Sequence, residues 1–91
     1  PGVMVGRYGR APDRWGRRAE GVGGTPGAGG GGGWVGSREF FRGRLTGRYY
    51  EEGDPSWRWY EVAHLEVKPP GYTQETVWCE EGFLFLEEAP P

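Results

Sequence analysis

The sequence predicts an all-β protein: a small barrel of four or five short antiparallel strands behind a long, irregular Gly/Arg-rich arm. Three observations carry this. From Ser37 onward, aromatic and β-branched residues recur between closely spaced turn signals, the mark of a compact all-β domain. No stretch sustains a helical period. Residues 1–36 hold 14 of the 19 glycines, whereas residues 37–91 hold three of the five tryptophans and all four phenylalanines. The chain therefore divides into an arm, residues 1–36, and a body, residues 37–91. At 91 residues and 35% hydrophobic content a two-domain enzyme is excluded. A body of about 55 residues is near the size at which a lone core is only marginally stable.

Within the arm, residues 1–21 scatter single apolar side chains among Gly and Arg without a sustained period. Pro12–Glu20 is compatible with one or two helical turns, with Pro12 early and Gly21 as a stop. Residues 21–33 (GVGGTPGAGGGGG) are low-complexity, and fixing such backbone costs roughly 1–2 kcal/mol per residue. They are expected to behave as a linker that gains order only between neighbouring subunits.

In the body, FFRGRLTGRYYEE places Phe41, Leu45 and Tyr49 on one face and Arg42, Arg44, Thr46 and Arg48 on the other. That is a half-buried strand with a basic outer face, and Gly43 and Gly47 within it predict curvature or close backbone approach. A turn is expected over Glu52–Ser56. WRWYEVAHLEV forms the next strand, but Tyr60 and Val62 share one phase while Leu65 and Val67 share the other. A bulge near Ala63–His64 would bring both pairs to the core. Lys68–Tyr72, with two adjacent prolines, is a loop. Thr73–Glu80 reads as a third strand, Glu81–Gly82 as a tight turn and Phe83–Glu87 as a closing strand. Core filling is assigned to Phe41, Tyr49, Trp59, Tyr60, Trp78 and Phe83 or Phe85.

Chemistry-bearing residues are sparse. His64 and Cys79 could form a nucleophile–base pair across neighbouring strands, but no orienting group or oxyanion donor accompanies them. One His and one Cys cannot supply the four ligands of a structural zinc site. Gly27–Gly32 satisfies G-x-G-x-x-G but lacks the strand before it and the helix after it. The acidic pairs Glu51–Glu52, Glu80–Glu81 and Glu87–Glu88 fall at strand ends, where solvation suffices. No catalytic residue, cofactor, metal or small-molecule substrate is expected, and the chain is read as a non-enzyme. The lone cysteine argues against a disulfide-stapled secreted domain. Neither a membrane span nor the charged-then-apolar order of a signal peptide is present, so a cytoplasmic or particle-bound location is expected.

The net charge of −2 hides an asymmetry: the arm carries five Arg against Asp13 and Glu20, while the body is acidic overall. A basic arm on an acidic body suits docking onto acidic surfaces. The residues assigned to partner binding are Tyr8, Arg10, Arg14, Trp15, Arg17, Arg18 and Trp34 on the arm, with Arg42, Arg44 and Arg48 on the barrel face. Aromatics left outside a core commonly anchor interfaces.

The order RGRLTGRYYE, turn, WRWYEVAHLEV, Pro/Gly loop, TVWCEEGFLFLEE resembles an SH3-like small β-barrel over about 50 residues. With the Gly-rich arm before the F-x-G-x-L-T-G-R strand, it is also similar to small virion proteins of tailed bacteriophages. The resemblance implies an accessory structural role and brings no catalytic residues. The acidic, aromatic first loop that lines the proline groove of peptide-binding SH3 domains is missing, so proline-peptide binding is not carried over. The sequence is thus read as an accessory cement, neck or tail component of a large assembly such as a tailed-phage virion. Its partners would be other protein subunits, with self-association in that context. Two alternatives stay open: a nucleic-acid-binding small barrel using the basic arm, and a regulatory subunit capping an enzyme.

Overall fold

A computed structural model of the chain describes residues 7–25, 35–52 and 57–87. Trp34, most of the glycine run and residues 53–56 of the turn expected over Glu52–Ser56 lie outside these residues, and Glu52 closes β3. The described residues form strands β1 (Arg7–Arg10), β2 (Arg18–Thr25), β3 (Val35–Glu52), β4 (Trp57–Val67) and β5 (Val77–Leu86), with one 3-10 turn at Pro12–Arg14 between β1 and β2. All pairings are antiparallel, and one sheet results with the order β1-β3-β2-β5-β4 and an additional β3–β4 pairing. The pairings β3–β2, β2–β5, β5–β4 and β4–β3 therefore close a circuit, with β1 added beside β3.

β3 makes this closure by serving two neighbourhoods. At 18 residues it is not a short strand: its first part pairs with β2 and its second part lies between β1 and β4. Gly47 sits at the change, with φ +84°, a conformation that costs L-residues with a Cβ about 1–2 kcal/mol. The β3–β4 register shifts between Leu45 and Tyr49, and the side-chain phase shifts with it. Leu45 remains in the main core, Tyr49 is half-buried against it, and Tyr50 is buried. Tyr50 stacks near-parallel on Trp59 at 6.4 Å and meets Trp78 edge-on at 5.5 Å.

The bulge expected near Ala63–His64 is present. Arg42 pairs with Val67 and Arg44 with Ala63, so Gly43 alone faces three residues of β4. His64 takes φ +51° there. Tyr60 and Val62 lie in the core, and Leu65 packs against it after the bulge. The loop expected at Lys68–Tyr72 is likewise found, and Tyr72 folds back with its ring edge-on to Phe41 at 4.9 Å and its hydroxyl donating to the Thr76 carbonyl at 2.6 Å.

The largest correction concerns residues 7–25, read from sequence as irregular arm. They supply β1 and β2, the helical turn stops at Arg14, and the boundary expected at Gly36 falls inside β3. β2 lies between β3 and β5 and contributes Ala19, 2% exposed, to the core. Its glycines make this feasible: a Cβ on Gly23 would stand 2.7 Å from Val77 Cγ2, 3.0 Å from Cys79 Sγ and 3.1 Å from Phe41 Cδ2. A bare backbone is what the core leaves room for.

A second correction concerns the third strand and the turn after it. β5 starts at Val77 and runs unbroken to Leu86, with no reversal at Glu81–Gly82. Gly23 pairs with Cys79 and Gly21 with Leu84, so Val22 faces residues 80–83 as a bulge. Because β2 pairs with β5 on both sides of that point, the chain cannot turn back. With Leu84 and Leu86 packed on the core, alternation turns Phe83 and Phe85 outward. Neither is a core residue: they are 40% and 68% exposed.

Candidate interaction surface

The outward faces of β3, β2 and β5 form one side of the molecule. Register brings Phe40 beside Val22, and Arg42 beside Glu20 and then Phe85. Phe85 is 68% exposed and Phe40 46%. Below Phe85 a half-open cleft of about 310 Å³ is lined by Arg18, Glu20, Arg42, Leu86 and Glu87.

The charges here neutralise one another. Arg42 donates from Nη2 and Nε to Glu20 Oε2 at 2.8 and 3.1 Å, and its guanidinium lies 5.9 Å from the Phe40 ring centre. Arg18 reaches Glu66 at 2.8 Å and Glu87 at 3.1 Å. Arg17 donates to the Glu87 carbonyl at 2.9 Å. These exposed pairs contribute only about 0–1 kcal/mol each to stability, but they leave the face with little net charge.

Across the sheet, Glu61 is 8% exposed and accepts from Thr46 Oγ1 at 2.8 Å and from Arg48 at 3.3 Å. Arg48 also lies 5.7 Å from the Trp78 ring centre. A carboxylate so far out of water needs these donors, so Arg48 is held to a structural task.

The partner-binding set read from sequence is thereby divided. Arg17, Arg18, Arg42 and Arg48 are engaged within the fold. Arg10, Arg14, Trp15 and Arg44 gather at another corner: Trp15 is 68% exposed, Arg44 donates to the Gly16 carbonyl at 2.9 Å, and Arg14 lies 5.1 Å from the Tyr60 ring centre. Tyr8 is in β1, its backbone opposite Tyr50. Trp34 falls outside the described residues. The sequence-derived set lacks Phe40 and Phe85, and it lacks Glu20, Glu61 and Glu66 as arginine partners. The strict alternation Leu84-Phe85-Leu86 was the available signal for Phe85; the ion-pair partners, far apart in sequence, had none.

The candidate nucleophile–base pair is not assembled. Cys79 is buried at 1% exposure in the core, where desolvation pushes its thiol up to about 12 from 9.0. His64 is exposed at the β4 bulge. Among the described residues no group of three or more His, Cys, Asp or Glu is placed to hold a metal, and no helix is long and apolar enough to cross a membrane.

No family model matches the chain, and neither the curated proteins nor the solved structures contain a match to it.

Proposed function

We propose that this chain is a non-enzymatic interaction protein that docks onto other protein subunits through the face bearing Phe40 and Phe85. The observation that carries this reading is Phe85. It is a large aromatic side chain 68% exposed at the mouth of a cleft whose flanking arginines are already bound to carboxylates. An aromatic rim over a nearly neutral floor has the chemistry of a protein interface, where aromatic anchors dominate and unpaired charge is depleted. The closed circuit of strand pairings supports reading the sheet as a small SH3-like barrel. The sequence resemblance supports placing it as an accessory component of a large assembly, with a tailed-phage virion as the specific setting.

The test is incorporation. Phe85→Glu and Phe40→Glu should leave the far-UV circular dichroism and melting temperature of the isolated chain intact, yet remove it from particles purified from its source. Full retention of both variants, or recovery of the wild-type chain only as unattached monomer, refutes the proposal.

A further inference from the structure

We propose that the corner made by the β1–β2 connection and residues Leu45–Arg48 of β3 binds single-stranded nucleic acid. In this site Trp15 is the stacking platform, and Arg10, Arg14 and Arg44 contact phosphates. The corner is built by the backbone. Ala11 N–H donates to the Gly47 carbonyl at 2.6 Å and Gly16 N–H to the Leu45 carbonyl at 2.8 Å, while Leu45 N–H donates to the Arg17 carbonyl at 2.9 Å. The connection is thus pinned to β3 on both sides of Trp15. The indole rests on Gly47, with Cε3 3.5 Å from where a Cβ there would stand. Most of the ring's remaining surface faces solvent, since Trp15 is 68% exposed.

Three arginines accompany it. Arg10 is exposed opposite Arg48 on β3. Arg44 bonds a carbonyl, and Arg14 faces a ring. None of the three is in a salt bridge with a described carboxylate. Asp13 stands beside Arg14 in the 3-10 turn, and Glu61 and Glu51 are occupied by Arg48 and Arg58. Arg14 directly precedes Trp15, Arg44 bonds the carbonyl of Gly16 that follows it, and Arg10 precedes Ala11, whose N–H bonds the carbonyl of Gly47, against which the indole packs. An acidic peptide would use the arginines but leave the open face of the indole without a matching group. A nucleotide strand offers phosphates to the former and a base to the latter, and base–aromatic stacking tolerates any sequence.

The experiment uses fluorescence polarisation of the full chain with a labelled oligothymidylate of about twelve nucleotides, titrated across roughly 25–150 mM salt. Three phosphate contacts predict a slope of log K against log salt of about −2. Trp15→Ala should weaken binding about tenfold, within the range known for loss of one stacked base. Arg10→Gln with Arg44→Gln should flatten the slope. An abasic strand of the same length should bind as weakly to the wild type as oligothymidylate does to Trp15→Ala. Phe85→Glu should leave the affinity unchanged, which separates this site from the docking face. The inference is overturned by any of three results: no binding at the lowest salt, equal affinity for the abasic strand, or equal competition by a poly-glutamate peptide, which would identify an acidic protein segment instead.

Discussion

Cys79 shows how a single side chain reports on the core around it. Among the described residues it is the only cysteine, and it is buried among Tyr60, Val77 and the bare backbone of Gly23. Desolvation raises its folded-state value to about 12 from 9.0, while the unfolded chain keeps the ordinary value. Above pH 9.0 the unfolded state therefore binds fewer protons than the native one, and stability falls as pH rises toward about 12. Tyr72, also raised by desolvation, acts in the same direction. Urea unfolding at increasing pH should show a declining midpoint across this alkaline window, and the decline should shrink in Cys79→Ala. A thiol reagent should label Cys79 at neutral pH only as fast as the protein unfolds. Cys79 therefore packs as a small apolar strand residue and not as a nucleophile. The core place expected for Phe83 or Phe85 goes to neither, because their neighbours Leu84 and Leu86 occupy the inward positions.

At the level of elements, β2 and the Gly47 change of phase depend on glycine in different ways. In β2 the requirement is space. Gly23→Ala would push a methyl into Val77, Cys79 and Phe41, an overpacking that costs about 1–3 kcal/mol. The urea midpoint should fall with an unchanged m-value. At Gly47 the requirement is backbone conformation: a Cβ there would stand 3.5 Å from its nearest neighbours, an ordinary contact, so space is not the obstacle. Gly47→Ala should cost about 1–2 kcal/mol through its positive φ alone. It should also disturb the seat of Trp15, detectable as a change in tryptophan emission. The β4 bulge was legible because the phases of Tyr60–Val62 and Leu65–Val67 conflict along the chain itself. The run through Glu81–Gly82 was not, because a tight turn and a bulge draw on the same residues, and pairing with β2 decides between them.

For the molecule as a whole, the circuit of pairings passes through β2, so the chain cannot be divided at residue 36. A chain beginning at Ser37 would lose the strand between β3 and β5, the start of β3 and the core residue Ala19. Such a truncation should show no cooperative melting, and in the full chain the amides of Arg18–Gly24 should exchange as slowly as those of Phe41–Leu45. A body that melts cooperatively without β2 would contradict the closed circuit. The same circuit pairs part of the charge that the arm carries. Folding brings Arg18 to Glu66 and Glu87, and Arg42 to Glu20, across separations that no local pattern announces.

The sequence by itself determined the all-β class, the inward places of Trp59, Tyr60, Val62 and Leu65 but not of Val67, the β4 bulge and the proline loop, because alternation and turn chemistry are local properties of side chains. Only the tertiary structure decided that a glycine-rich segment is an internal strand, which aromatic rings face outward and which arginines pair with which carboxylates. Glycine has no side chain with which to write a pattern, and ladder partners and ion pairs are set by residues far away along the chain.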